Sequence, residues 1–250
     1  MNYGLCNLSV VPLRSEASDT SEMVSQVLYG ELFEVLEKTN KWALIKLAFD
    51  GYEGWIDPKQ YLPISEEDFL NLKKLTSTYS SNLVDIISTP ENELLPITMG
   101  SNLQTADFLN HNFEGEFLEG IHSKANIIET AQNYINSPYL WGGKTPFGID
   151  CSGFTQMVYK MNGYHLLRDA SQQATQGEAL SFIEESEPGD LAFFDNEEGN
   201  ITHVGIIMKD NLIIHAHGKV RIDHLDHSGI FNADKNAHTH KLRVIKRFDK

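Results

Sequence analysis

The sequence predicts an α+β domain preceded by two small all-β barrels. Three observations carry this. Residues 1–65 hold short alternating runs broken by Gly, Asn and Asp turns, the pattern of a small barrel. Residues 66–122 open on a helical patch and continue as weaker strand-like runs, read as a second, degraded barrel. Residues 123–250 place helical spacing first and strand-like runs after it, the order of an α+β domain.

In the first segment Val27, Tyr29, Leu32, Phe33 and Val35 flank the turn residue Gly30. Trp42, Leu44, Ile45 and Leu47 follow the turn Thr39-Asn40-Lys41, and Phe49-Asp50-Gly51 leads into "GWI". In the second, Ser65 and Asp68 form a capping-box-like pair at the head of "EEDFLNLKKL". The runs "LVDIIS", "LLPITMGSNL" and "EGEFLEG" follow. In the third, Ile127, Ile128, Ala131, Tyr134 and Ile135 share one helical face, and that helix stops before Pro138. Phe154, Met157, Val158 and Met161 predict a second, amphipathic helix with Gly163 just past its end. Strands are expected at "GDLAFFD", "HVGIIM", "LIIHAHGKVRI" and "KLRVIKRF".

At 250 residues, 41% hydrophobic and 22% charged, the chain can bury a core and is no disordered segment. Its net charge of −15 argues against nucleic-acid and anionic-membrane partners, both of which need local cations. No apolar run reaches the ~18–20 residues of a membrane helix. "MNYGLCNLSVVPLR" lacks a basic stretch followed by an apolar one, so the expectation is a cytoplasmic protein, or a periplasmic or exported one if a leader was removed. Two cysteines, Cys6 and Cys151, make no disulfide framework. Cys6 reads as a buried barrel residue.

Cys151 opens the second helix, in "GIDCSGFTQMVYKMNG". The helix terminus favours thiolate over thiol, and its free N–H groups can hold an oxyanion. A buried cysteine acting as a small hydrophobe is the other reading. Histidines separate the two. A thiol nucleophile wants a general base and a third group to orient that base. His203 starts one strand; His215 and His217 share a face of the next. A short turn near Lys209–Asn211 sets His203 almost across from His217 and diagonal to His215. Three histidines on one face could also bind zinc, but no carboxylate spacing completes a familiar site. The pairs His224/His227 and His238/His240 read as exposed loop residues.

The blocks "YLWGG", "DCSGFTQMVY", "RDASQQ", "PGDLAFF", "HVGIIM" and "IIHAHGKVRI", in this order, resemble the NlpC/p60 family of papain-like bacterial cell-wall cysteine peptidases. The resemblance covers roughly residues 124–250. The amino-terminal half resembles the tandem bacterial SH3-like domains of the branch that contains γ-D-glutamyl-L-diamino acid endopeptidases. The implied layout is an SH3-like barrel over 1–65, a degraded one over 66–122 and a papain-like catalytic domain over 123–250.

The resemblance implies Cys151 as nucleophile, His203 as base and His215 as the orienting residue, with His217 a rival for that place. Tyr139 matches a tyrosine near the oxyanion, or else packs as a core aromatic. Trp141 walls the cleft or packs in the core. The substrate implied is a murein peptide, L-Ala-γ-D-Glu-diamino acid, whose free ammonium needs carboxylates. Asp150 resembles the amine-binding aspartate and could also cap the Cys151 helix. Ser152 and Ser171 match serines of the same pocket. Tyr52 matches a tyrosine that the first barrel presents to the cleft, and Glu16 or Glu22 would supply a second carboxylate. Arg168, Lys144 and Arg221 are the cations available for the substrate's carboxylates, with Arg168 foremost. No cofactor is expected. An exported hydrolase of intact peptidoglycan and a catalytically dead wall-peptide binding protein are the rival readings.

Overall fold

The structure is a computed structural model and describes residues 2–248. The chain divides into two compact units, Met1–Gly120 with Trp141–Pro146, and Ile121–Leu140 with Phe147–Lys250.

In the first unit, seven strands form one antiparallel sheet in the order β3-β2-β6-β5-β4-β1-β7. They are β1 (Tyr3–Leu5), β2 (Val10–Arg14), β3 (Met23–Leu28), β4 (Leu32–Lys38), β5 (Ala43–Leu47), β6 (Glu53–Ile56) and β7 (Leu62–Ile64). Alternate residues of these strands, among them Val11, Leu13, Phe33, Ile45 and Ile56, share one buried cluster with Cys6. Period-two alternation around a single core is what the sequence pattern requires. Helix α1 (Glu66–Lys73) is capped by Ser65, whose Oγ accepts from Asp68 N–H at 3.0 Å. Its Phe69 and Leu72 pack with Leu5, Leu32 and Ile64.

The stretch expected as a second barrel holds five short strands: β8 (Thr78–Ser80), β9 (Val84–Ser88), β10 (Leu94–Thr98), β11 (Asn112–Phe113) and β12 (Phe117–Glu119). They make two small sheets, β10-β9-β11 and β12-β8. Ile87, Ile97 and Leu103 pack there on Tyr29, in the turn after β3. Gly30, at φ +78°, is held to glycine by proximity as well: a Cβ would lie 1.8 Å from the Asn102 carbonyl oxygen. The two-residue strand β13 (Lys144–Thr145) also belongs to this unit.

The second unit contains α2 (Lys124–Asn133), β14 (Gly148–Ile149), α3 (Cys151–Met161) and α4 (Ala170–Gln173). Seven strands follow: β15 (Glu178–Leu180), β16 (Leu191–Asp195), β17 (Ile201–Ile207), β18 (Leu212–His217), β19 (Lys219–Asp226), β20 (Gly229–Asn232) and β21 (Ala237–Arg247). Their order is β15-β21-β16-β17-β18-β19-β20, and β20 also pairs with β21. Six strands therefore close into a barrel. Ala192, Phe194, Ile207, Ile213, Leu225, Ile230 and Ile245 form a shared buried cluster. Helix α3 packs on β17 and β18, α2 on α3, and α4 on β17.

Two expectations change here. The predicted amphipathic helix is buried along its whole length. Its polar residues find protein partners instead of water: Thr155 Oγ1 donates to Gln173 Oε1 at 2.7 Å, and Gln156 Nε2 to the Leu166 carbonyl at 3.1 Å. The run "LIIHAHGKVRI" is two strands, not one. Gly218, at φ +71°, reverses the chain between His217 and Lys219. No helix among the described residues is long and apolar enough to cross a membrane.

Candidate active site

Cys151 is the first residue of α3. Asp150 caps that helix, accepting from Gly153 N–H at 2.6 Å. Its carboxylate also receives both terminal nitrogens of Arg168, Nη1 at 3.1 Å and Nη2 at 2.7 Å. Arg168 Nη1 donates to Ser152 Oγ at 3.0 Å as well. Gln173, in the "RDASQQ" block, donates to the Ser152 carbonyl at 3.0 Å. The first turn of α3 is thus braced from its capping carboxylate to its second carbonyl.

This corrects the reading of the cations. Arg168 is 1% exposed and serves Asp150 and Ser152, where the sequence suggested a cation open to substrate carboxylates. Lys144 is equally buried, within the first unit, against Glu31 at 3.3 Å. Arg221 donates to Asp223 and Asp234, both at 2.8 Å. Each charge is compensated inside the chain, as burial of a cation demands.

Strand β17 sets His203, and β18 sets His215 and His217. The pairings Ile206 with Ile214 and Ile207 with Ile213 give the register that the short turn implied. Gly205 permits the close approach of the two strands, because a Cβ there would meet the Cβ of His215 at 2.9 Å. His203 Nε2 lies 2.8 Å from His215 Nδ1, with the rings nearly perpendicular at 83°. His217 lies farther off, its ring centroid 6.4 Å from that of His203. His215 Nε2 in turn lies 3.0 Å from Asp223 Oδ2. Asp223 reaches this position because Gly218 folds β19 back along β18, opposite Ile213. The sequence reading missed it, having taken both strands as one. The signal was the glycine between "HAH" and "KVRID".

Charge fixes the protons along this line. Burial alone would raise Asp223, but hydrogen bonds from His215 and Arg221 outweigh it and hold the carboxyl below its ordinary range. It is therefore an acceptor only. Burial holds His215 below the usual imidazole value, so it is neutral at neutral pH and carries its proton on Nε2, toward Asp223. Its bare Nδ1 then accepts from His203 Nε2–H. His203, pushed well below its usual value by burial and by His215, His240 and His217, keeps Nδ1 unprotonated. The result is a buried imidazole with a defined basic nitrogen.

Cys151 does not rest as the thiolate expected at a helix terminus. Burial, then the Asp150 charge, push the thiol up to about 12. Backbone N–H groups of Val204 and Ser152 and the charge of Arg168 act the other way and are outweighed. The bond to Val204, the residue after His203, sets the sulfur beside the middle of β17.

Tyr139 is partly exposed, its N–H donating to the Gly218 carbonyl at 3.0 Å and Leu140 N–H to the Ile149 carbonyl at 3.2 Å. Burial raises its hydroxyl above the ordinary phenol value, and a Cys151 thiolate acts in the same direction. Ser152 is buried, whereas Ser171 is exposed on α4. The remaining candidates lie in the first unit. Trp141, 60% exposed, donates its indole N–H to Glu22 at 2.5 Å. Glu16 is exposed, and Tyr52 packs on the barrel core. The pairs called exposed loop residues also divide. His238 meets Asp226 at 2.9 Å, but His240 is stacked on His203 from β21. Among the described residues, no group of three or more His, Cys, Asp or Glu side chains is arranged to hold a metal ion.

Residues 136–238 match the NlpC/P60 family, and residues 13–60 match the bacterial dipeptidyl-peptidase Sh3 domain. A γ-D-glutamyl-L-lysine dipeptidyl-peptidase of Bacillus subtilis is 30% identical over 212 residues, 77% of this chain and 71% of that protein. The chain belongs to the NlpC/P60 family. It is a cysteine peptidase with a papain-like domain and an N-terminal SH3-like domain. Dipeptidyl-peptidase 6 of Lysinibacillus sphaericus is 26% identical over 248 residues, covering 86% of this chain and 88% of that one. A crystal structure of an NlpC/P60 family protein from Bacillus cereus superposes with a TM-score of 0.81 at 19% identity, over 98% of this chain and 99% of that one, which shows the common fold.

Proposed function

We propose that this NlpC/P60 peptidase hydrolyses the γ-D-glutamyl-L-diamino acid bond of peptidoglycan-derived peptides that begin with a free L-Ala. The observation that carries the chemistry is the line His203–His215–Asp223, together with the bond from Cys151 to the backbone of Val204, the residue after His203. The substrate class rests on the names of the relatives from Bacillus subtilis and Bacillus cereus, both γ-D-glutamyl-L-lysine dipeptidyl-peptidases.

In this reading His203 Nδ1 removes the thiol proton as the Cys151 sulfur attacks the γ-glutamyl carbonyl. A carbon–sulfur bond forms, and the carbonyl oxygen takes the displaced electron pair. Tyr139 and the N–H groups at the start of α3 face that oxyanion. The imidazolium, steadied by His215, gives its proton to the leaving amine as the carbon–nitrogen bond breaks. Water then enters with His203 as base, cleaves the thioester and restores the thiol. Asp223 keeps His215 in the tautomer that accepts from His203, which is a positioning role.

The free amine is proposed to meet Asp150. Ser152 and Ser171 are its proposed neighbours. The two-barrel layout with boundaries at 65 and 122, a role in cell-wall recycling and a cytoplasmic location belong to the same reading. The chain's acidity supports it, because net negative charge disfavours retention on a polyanionic wall.

The test is hydrolysis of L-Ala-γ-D-Glu-L-Lys and the diaminopimelate analogue, each free and N-acetylated. The free peptides should be cut between D-Glu and the diamino acid, and acetylation should lower kcat/KM by about 30-fold or more, as loss of a charge-assisted partner predicts. Equal cleavage of free and acetylated peptides would remove the amine requirement. Activity surviving in Cys151→Ala would remove the covalent mechanism.

A further inference from the structure

His240 takes no part in the line described above, yet it covers the imidazole that begins it. Its ring lies face to face with that of His203, centroids 4.1 Å apart and planes within 24°. His217 meets His240 edge-on at 4.8 Å. Phe194 closes a third side, 6.0 Å from His240 and 5.8 Å from His203. His240 is itself anchored, its Nδ1 lying 2.9 Å from Thr239 Oγ1. Strand β21 is two places from β17 in the sheet, with β16 between them, where Phe194 pairs with His203 on one side and Leu242 on the other.

We propose that His240 is a positioning residue whose ring holds His203 edge-on to His215 and keeps water from its face. The proposal rests on His203 being the general base. An imidazole with a single hydrogen-bond partner can swing about its last side-chain torsion, a broad one. The bond from Nε2 to His215 fixes one edge of His203. A parallel ring against its face fixes the plane, so Nδ1 stays directed away from His215. His203 could otherwise turn Nε2 to water and lose the tautomer that the Asp223 line imposes.

The stack also has an electrostatic side. The charged and titratable groups about His203 are His215 and His217 on β18, Asp223 and Arg221 on β19, and Asp195 at the end of β16. Lys235 lies before β21, Cys151 begins α3 and Asp150 caps it. Burial, then the charges of His215 and His217, push His240 down to about 4. At neutral pH the stacked ring is therefore uncharged and tolerates an imidazolium on His203. A cation in the same place would oppose it.

The test compares His240→Ala, which removes the ring, with His240→Phe, which keeps the stack and removes the titration. Two measurements are made on each: kcat and KM against pH, and the titration of the His203 ring by NMR in protein with labelled histidine. His240→Ala should lower kcat by about 10–100-fold, the usual range for an outer positioning group, with little change in KM. Water then reaches His203, its neutral form loses the advantage of burial, and the acid limb of kcat/KM and the NMR midpoint both move to higher pH. His240→Phe should restore most of kcat and leave the midpoint near its original place. If His240→Ala keeps the wild-type kcat and midpoint, the proposal is overturned. It is equally overturned if both variants lose activity while the His203 midpoint stays fixed, since the ring would then serve folding alone. His203→Ala, measured alongside, separates the two ideas. If it stays active, His203 is not the base, while the NMR midpoint still reports whether His240 shields it.

Discussion

His203 and His215 meet nitrogen to nitrogen at 2.8 Å, and His215 is in turn held by Asp223 at 3.0 Å. Two neutral imidazoles in contact leave the position of each proton open until a third group sets the direction. Asp223, held in the ionised form by His215 and Arg221, sets it. The tautomer of His203 is thus set at Asp223, through the intervening His215.

Asp223→Asn keeps the shape of the side chain but offers His215 either an acceptor or a donor. If the amide donates, His215 takes the opposite tautomer and His203 is reversed with it. We expect kcat to fall about 10–100-fold with KM little changed, as for other groups that orient a reacting imidazole. Steady-state kinetics on the free tripeptide would measure this. A variant with wild-type kcat would show that Asp223 is a structural partner of Arg221 alone.

Gly205 is held to glycine by proximity and not by an unusual backbone angle. A Cβ there would lie 2.8 Å from Ile213 Cδ1 and 2.9 Å from the His215 Cβ. The first neighbour is the end of a flexible side chain and can move; the second is fixed to the strand. Gly205→Ala should push β18 away and lengthen the His203–His215 contact. Activity should fall by at least about tenfold, since misplacement of a reacting group by an ångström can cost ~10²-fold. Circular dichroism should show the fold retained. Unchanged kinetics would mean that the two strands separate without loss.

Much of this site was legible in the sequence. Cys151 stood at a helix start, and the short turn between "HVGIIM" and "LIIHAH" set His203 against the next strand's histidines. The choice between His215 and His217 needed the ring orientations, which no spacing supplies. Asp223 and His240 were illegible for another reason. Each lies on a strand whose place follows from a reversal at Gly218 or from the pairing of β21 with β16, and such contacts are remote in sequence. Arg168 is illegible as a structural cation for a third reason: a sequence shows a charge without its partner, and the partner here is Asp150.

The Arg168–Asp150 pair carries its own prediction. Both groups are buried, and the carboxylate caps α3 while it binds the guanidinium. Arg168→Met leaves that carboxylate buried without its bidentate partner. Breaking a buried pair from one side typically costs about 3–5 kcal/mol. Urea denaturation should show a loss of this size, and Asp150→Asn combined with Arg168→Met should recover part of it. A single variant within about 1 kcal/mol of wild type would place the pair among surface-like bridges.

The resting state of the nucleophile can be read directly from its reactivity. A thiolate–imidazolium pair alkylates at a rate that is nearly flat with pH above the thiol's low pKa. Here burial and the Asp150 charge push Cys151 up to about 12, while burial and the neighbouring histidines push His203 well below its usual value. Both shifts favour the neutral pair. Below a raised pKa the thiolate fraction grows tenfold with each pH unit, so iodoacetamide labelling of Cys151 should rise about tenfold per unit between pH 7 and pH 10. Peptide mapping distinguishes this label from any on Cys6, whose thiol burial also pushes up to about 12. Hydrolysis should not follow that profile, because in the substrate complex His203 removes the proton as the sulfur attacks and no resting thiolate is needed. A flat alkylation profile from pH 6 upward would establish the ion pair instead. Catalysis would then begin from a charged nucleophile, and the neutral tautomer line through His215 and Asp223 would apply only to the acyl-enzyme.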